Sequence, residues 1–214
     1  MKYKNPTEAF EKVYQHISDN GEEYAGTKAV FNLSFTVSHP EELVITTPER
    51  KFKKDYADFE WEWYLKGDRD ASEISERAKI WKNMMVPFTK EVNSNYGWYW
   101  NYNDQLHRMV EELKYNNETR RAILVHYGIF EIDRYKYDTP CNLVLNFYIR
   151  NGGLHLTVFA RSIDLVYGWC NDQYTFSKLM ELVSSKVKIP VGSMHWFITN
   201  CHLYPRHYNL MDKR

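Results

Sequence analysis

Residues 142–149, NLVLNFYI, residues 150–153, RNGG, and residues 154–160, LHLTVFA, form the stretch that decides the fold. Two short apolar runs rich in β-branched and aromatic residues flank a turn with the Asn-Gly chemistry of a tight hairpin, so two adjacent antiparallel strands are predicted. Downstream, residues 176–187 carry Phe176, Leu179, Met180 and Val183 on one helical face, and residues 193–200 read as a last strand. Upstream, a helix over 104–114 presents Leu106, Met109, Val110 and Leu113, and the polar turn at 116–119 leads into a strand over 122–127. Nearer the N-terminus, Thr7 is placed to cap a helix with Phe10, Val13, Tyr14 and Ile17 on its apolar face, and Asn20-Gly21 ends it. Residues 29–37 form a half-buried strand, 39–54 an exposed connection, and 55–66 a Trp-rich helix stopped by Gly67. Helices and strands mix without repeat, low-complexity tract or linker, which points to a single α+β domain over residues 1–214.

With 43% hydrophobic and 26% charged residues, the 214-residue chain is neither disordered nor a collagenous or coiled-coil rod. Twenty-eight basic residues balance 28 acidic ones, so no global positive field draws nucleic acid or an anionic membrane, and any anion site must be local. Cys141, Cys170 and Cys201 form no CxxC pair. They fit neither a disulfide framework nor a zinc cluster, so no metal is expected and a reducing cytoplasmic setting is. The first 20 residues lack a signal-like apolar core, and no stretch reaches the roughly 18 apolar residues of a membrane span, so a soluble, unprocessed protein is expected.

Taken alone, Cys141 is a cysteine entering a strand, Arg120-Arg121 a solvated charge pair and Arg161-Ser162 the polar end of a strand. Two arginine sites and a hydroxyl also suit a phosphate monoester, because guanidinium forks bind its oxygens bidentately. Order and spacing add to this. Arg120-Arg121, Pro140-Cys141, the run RSIDLVYG at 161–168, Asn171-Asp172 and His202-Leu203-Tyr204 follow one another as they do in the thymidylate synthase family, which the chain resembles. EWEWYLKGD at 60–68 and Asn95-Tyr96-Gly97 extend the likeness, which covers roughly residues 55–208.

The resemblance implies an α+β homodimer whose mixed sheets pack against each other across the subunit interface. It implies that Cys141 attacks C6 of a bound pyrimidine nucleoside monophosphate, so that C5 can take the one-carbon unit of the co-substrate 5,10-methylenetetrahydrofolate. Arg161 and Ser162 would hold the phosphate from the same subunit, and Arg120 and Arg121 from the partner, giving active sites shared across the interface. These arginines are the cations that would lower the thiol pKa. Glu60 matches a glutamate that organises proton transfer, Tyr96 a tyrosine near the C5 proton, and His202 with Tyr204 the pair that bonds the sugar. Asn171 falls within the nucleotide-binding motif. Asp164, Trp81 and Gly168 match positions near the folate, although Asp164 would also serve as a helix cap and Trp81 as core.

Departures from the family pattern are specific. Thymidylate synthases carry an asparagine where this chain has Asp172. An amide suits uracil, whereas a carboxyl group can accept from the 4-amino group of cytosine while sharing a proton with N3. Asp172 thus points to dCMP, as in the family's deoxycytidylate hydroxymethylase branch, which Asn95-Tyr96-Gly97-Trp98 and residues 168–172, GWCND, also resemble. Asn142 stands where thymidylate synthases usually carry histidine and Asn146 where they carry glutamine, which suits a different base or reaction. The chain stops ten residues past Tyr204, so a less sealed site is expected, in which water traps the intermediate as hydroxymethyl. The N-terminal phosphate loop offers Glu22 and Glu23 instead of a basic residue, so either Lys28 substitutes or the loop does something else. The sequence thus predicts a dCMP hydroxymethyltransferase. The alternatives are C5-methylation of dCMP or dUMP, hydroxymethylation of CMP, or nucleotide binding without turnover.

Overall fold

The computed structural model of the chain describes residues 1–128 and 133–212. A mixed sheet runs through it, built from β1 (Lys2–Tyr3), β2 (Glu22–Tyr24), β3 (Thr27–Val37), β4 (Ile123–Val125), β5 (Asn142–Arg150), β6 (Gly153–Ala160), β7 (Ile163–Asp164) and β8 (Val191–Leu203). The main strand order is β1-β3-β8-β6-β5-β4, with β2 hairpinned onto β3 and β7 paired with β8. The predicted β5–β6 hairpin forms with Asn151 and Gly152 both at positive φ, 50° and 75°, and Ile149 paired to Leu154. That is the backbone handedness a two-residue turn needs to follow the twist of its strands.

Seven helices accompany the sheet among the described residues: α1 (Pro6–Asn20), α2 (Lys54–Lys66), α3 (Ser72–Arg77), α4 (Ile80–Met84), α5 (Tyr96–Asn101), α6 (Gln105–Tyr115) and α7 (Cys170–Val187). Phe10, Val13 and Ile17 of α1 and Phe176, Leu179, Met180 and Val183 of α7 are buried in one core cluster with Phe35, Leu156, Val158, Trp196 and Ile198 of the sheet. The alternation along each strand means that its other residues face away from these helices. Phe159 and Phe197 on that opposite face stack at 5.3 Å and remain 41% and 44% exposed, beside exposed Ile123 and Val125.

Several boundaries differ from the sequence reading for local reasons. Asn5, not Thr7, caps α1: its side chain accepts from the Glu8 N–H at 3.0 Å, with Pro6 opening the helix. Thr7 instead accepts from the Thr46 N–H and so pins the following connection. That connection is not wholly exposed, because Ile45, Thr47 and Arg50 are buried in it. Helix α7 begins six residues earlier than its apolar pattern indicates. The Asp164 carboxylate accepts from the Val166 and Tyr167 N–H groups and starts a π-helical turn over Leu165–Trp169 that runs straight into α7. The strand predicted over 122–127 contracts to Ile123–Val125, after which His126 turns into the core. The last strand instead lengthens to Val191–Leu203, long enough to pair with β3, β6 and β7 in turn.

Gly97 sits where α5 crosses α2, and a Cβ there would lie 1.5 Å from the Tyr64 carbonyl oxygen. Neither backbone can yield without moving the Trp61, Tyr64, Tyr96 and Trp100 cluster between them. Gly97→Ala is therefore expected to cost at least about 3 kcal/mol in denaturant unfolding. A loss below 1 kcal/mol would show that the crossing is looser than this packing requires.

Candidate active site

Cys141 stands immediately before Asn142, the first ladder residue of β5, and follows Pro140, which lacks an N–H. It is half-buried, whereas Cys170 and Cys201 are enclosed in the core. The Arg161 side chain grips the approach to it, donating from Nε to the Pro140 carbonyl at 3.0 Å and from a terminal nitrogen to the Thr139 carbonyl at 2.6 Å. Buried Asp138 anchors the same approach from the other side by accepting from the Asn93 and Ser94 N–H groups at 2.7 Å. Burial pushes the Cys141 thiol up to about 12. Arg161 pulls it down, while Asp172, Asp138 and Asp164 add to the rise. The arginine expected to activate the thiol thus acts in the right direction and is outweighed in a single protomer.

The residue after the cysteine joins three elements. Asn142, fully buried, donates from Nδ2 to the Tyr96 hydroxyl of α5 at 2.8 Å and to Asp172 Oδ2 in the first turn of α7 at 2.7 Å. Behind it lies His126, stacked on Tyr96 at 4.8 Å. Trp100 Nε1 donates to His126 Nε2 at 2.9 Å, so the ring proton sits on Nδ1 and is donated to the Asn142 carbonyl at 3.1 Å. Burial holds His126 neutral, with its pKa pushed down to about 3.

Glu60, on the inner face of α2, accepts from the Tyr56 hydroxyl one helical turn earlier at 2.8 Å, and Trp81 Nε1 donates to that same hydroxyl at 2.9 Å. Burial, reinforced by the charge of Asp172, raises Glu60 to about 8. Burial likewise raises Asp172 to about 7, against the pull of its hydrogen bonds from Asn142 and Tyr96. Two carboxyl groups that share a dry region and bind protons near neutrality are what acid–base work at pH 7 requires.

A cleft of about 450 Å³ is lined by Arg161, Ser162, His202 and Tyr204, together with Thr199, Asn200 and residues of the β2–β3 hairpin. Arg161 and Ser162 occupy the break between β6 and β7, which pair with β8 in one register as Ala160↔Ile198 and Ile163↔Cys201. His202 donates from Nδ1 to Asn200 Oδ1 at 2.8 Å, and its ring meets Tyr204 edge-on at 5.3 Å. The cleft therefore joins four of the residues singled out in the sequence, and Arg161 belongs to both the cleft and the cysteine approach.

Other expected residues lie elsewhere. Arg120 and Arg121 are exposed, and Arg121 pairs with Glu112 at 2.9 Å. The Ala122 carbonyl accepts from the Phe147 N–H, so Arg121 lies at least six residues up β5 from Cys141, roughly 20 Å at about 3.3 Å per residue. Lys28 donates to the Ser18 carbonyl at 2.6 Å and is not among the residues that line the cleft. Asn171 Oδ1 accepts from buried Arg50 at 3.4 Å. Asp164 caps the π-turn, Trp81 packs edge-on against Trp63 at 4.9 Å, and Gly168 has room for a Cβ. Tyr56, His126 and Asp138 were not singled out in the sequence. Only Tyr56 left a signal there, as an aromatic one helical turn before Glu60 on a buried face.

Among the described residues no cluster of His, Cys, Asp or Glu is arranged to hold a metal ion, and no helix is long and apolar enough to cross a membrane. The two carboxyls make a pH-dependent stability testable. Both bind protons more tightly folded than unfolded, so between pH 7.5 and 8.5 the native state holds more protons and unfolding free energy falls as pH rises, by at most about 1.4 kcal/mol per unit for each group. His126, His195, His202 and His207, all with lowered pKa, oppose this slope near pH 6.5, where their unfolded forms are about half protonated, and are nearly neutral in both states above about pH 7.5. The Tm of the unliganded protein is expected to drop from pH 7.5 to 8.5, and Glu60→Gln to flatten the slope and raise Tm at pH 8.5. An unchanged slope in Glu60→Gln would mean that Glu60 titrates normally.

The family model described as thymidylate synthase matches residues 8–214. Among curated proteins, the thymidylate synthase of Buchnera aphidicola subsp. Acyrthosiphon pisum (strain APS) is 28% identical over 165 residues, covering 73% of this chain and 62% of that protein. The thymidylate synthase of Coxiella burnetii (strain Dugway 5J108-111) is 25% identical over 190 residues, covering 85% of this chain and 71% of that protein. The chain thus spans less than two thirds of the Buchnera relative. The family model nevertheless takes in the cysteine strand, the carboxyl pair and the cleft together, and the chain belongs to the thymidylate synthase family.

Proposed function

We propose that the protein transfers the one-carbon unit of 5,10-methylenetetrahydrofolate to C5 of dCMP and, by addition of water, yields 5-hydroxymethyl-dCMP. The observation that carries this reading is the buried Asp172 carboxyl beside Asn142 and Cys141, with its proton affinity raised to the neutral range. Such a group can accept from the 4-amino group of cytosine and share its proton with N3, drawing electrons from C6 as the Cys141 sulfur adds there. The folate supplies the carbon at the oxidation level of formaldehyde. Once C5 has bonded to that carbon, loss of the C5 proton and departure of tetrahydrofolate leave an exocyclic methylene group; water adds to it to give hydroxymethyl without any reductant, and breaking the S–C6 bond returns the thiol.

The protein's own residues do the rest. Arg161 and Ser162 bind the phosphate, His202 and Tyr204 the sugar, and Asn171 the nucleotide beside Asp172. Glu60, held by Tyr56, moves protons at the ring and the exocyclic carbon, and Tyr96 faces the C5 proton. Asp164, beside the Gly168 backbone, keeps carboxylate lone pairs beyond its two cap bonds and offers a pterin hydrogen-bond acceptors, while Trp81, buried against Trp63, supports Glu60 from behind through Tyr56. Arg120 and Arg121 act in the partner's site. The distance of roughly 20 Å between Arg121 and Cys141 along β5 argues against a role in their own site, and the uncovered sheet face with Phe159 and Phe197 gives a second copy an apolar surface to cover. Two more guanidinium groups from that copy would also bring the Cys141 thiol down towards the neutral range. A second reading, methylation of dUMP, is favoured by the names of the relatives and by a half-protonated Asp172 that can donate to O4.

Mass spectrometry after incubation with the folate and dCMP, dUMP or CMP decides between them. A gain of CH2O on dCMP is expected, and a gain of CH2 on dUMP alone would overturn the proposal. Asp172→Asn should shift the kcat/KM ratio towards dUMP by one to a few powers of ten, because the wrong base then leaves buried groups unpaired. For the shared site, Arg121→Ala and Cys141→Ser homodimers should each be nearly inactive. Mixed and re-equilibrated, they should recover about a quarter of the wild-type rate, since about half of the dimers are mixed and each mixed dimer has one intact site of two. No recovery after verified exchange would place the arginines outside the site.

A further inference from the structure

Asn142 has one polar atom that the site leaves unused. Its Nδ2 donates twice, to the Tyr96 hydroxyl and to Asp172 Oδ2, while Oδ1, equally buried, has no partner among the described residues. Reversing the amide would set its oxygen against the ionised form of Asp172 and would leave its N–H groups without the two acceptors they now have. A buried acceptor without a donor calls for one, and beside the candidate nucleophile a ligand can bring it.

Resting on the dCMP reading above, we propose that Asn142 is a second reader of the base, its Oδ1 accepting the exocyclic N–H that points towards C5. The amino group of cytosine carries two N–H donors. Asp172 takes the one beside N3, and Asn142, bonded both to Asp172 and to the tyrosine near C5, sits on the side of the other. With uracil, O4 would meet Oδ1 acceptor against acceptor, so Asn142 disfavours dUMP independently of Asp172. Tyr96, His126 and Asp172 fix the orientation of Asn142 before any ligand arrives, which is the condition for discrimination by an unpaired polar group.

The test is kcat/KM for dCMP and dUMP in the wild type, in Asn142→Ala and in Asn142→Leu, the last preserving side-chain volume. Both variants should lose ten- to a hundredfold on dCMP and no more than threefold on dUMP, so the preference falls at least tenfold. A second measurement needs no variant: in the wild-type complex with amino-15N-labelled dCMP, both amino protons should resonate downfield as hydrogen-bonded. A wild type that prefers dUMP overturns the substrate reading and this inference with it. A wild type that prefers dCMP, with variants that lose both nucleotides in equal proportion, or with one amino proton at its solvent position, overturns only the role of Asn142.

Discussion

The hydrogen bond from Asn142 Nδ2 to Asp172 Oδ2 ties the first residue of β5 to the first turn of α7 inside an apolar core, and the rest of the site is arranged around it. A carboxyl group placed there is costly unless it is bonded or protonated. The structure does both in part. Asn142 and Tyr96 bond it, and burial raises its proton affinity until it is half-protonated near neutrality. Once the carboxyl is in place, neighbouring choices are constrained: His126 must stay neutral to stack on Tyr96 and donate to the Asn142 carbonyl, and Glu60 must bind its own proton more tightly.

The strands and helices with clear periodicity were legible, because hydrophobic patterning survives in a single sequence: the β5–β6 hairpin, α1, α2 and the apolar face of α7 all form where their residues indicate. What was not legible depends on side chains distant in sequence. The start of α7 is set by Asp164 capping a π-turn, a motif with little apolar signature. The burial of Ile45, Thr47 and Arg50 depends on Thr7 and α7, which no local pattern within that charge-rich segment reveals. At the site, residues of an ordered motif could be picked out, but their supports could not. Tyr56 lies in the same helix as Glu60 and was within reach of helical spacing, whereas His126 acquires its role only because Trp100 and Asn142 close around it.

The cleft and the carboxyl cluster also differ in what they lack. Among its described lining residues the cleft has one arginine, Arg161, with Arg206 held on the Tyr204 ring at 4.7 Å, and it is walled by a hairpin whose Glu22 and Glu23 are exposed, while Lys28 is drawn away to the end of α1. For a dianionic phosphate that is a weak field, and a chain with equal numbers of basic and acidic residues cannot supply the deficit from a distance. The deficit at the phosphate and the excess of negative charge around Cys141 have the same remedy, additional guanidinium groups close by. An assembly that brings Arg120 and Arg121 of a second copy to the cleft would meet both needs at once.

This coupling explains why an inert thiol in the isolated protomer is compatible with covalent catalysis. Cys141 is surrounded by Asp138, Asp164 and Asp172, and each must be neutralised, bonded or offset before a thiolate can form. Asp138 and Asp164 are already bonded to backbone N–H groups, which leaves Asp172 as the variable member. A cytosine ring whose N3 shares the Asp172 proton reduces the negative charge facing the sulfur at the moment the electrophile is in place. On the dCMP reading proposed above, recognition of the base and activation of the nucleophile would draw on a single proton, so binding of the cytosine ring would itself favour the thiolate.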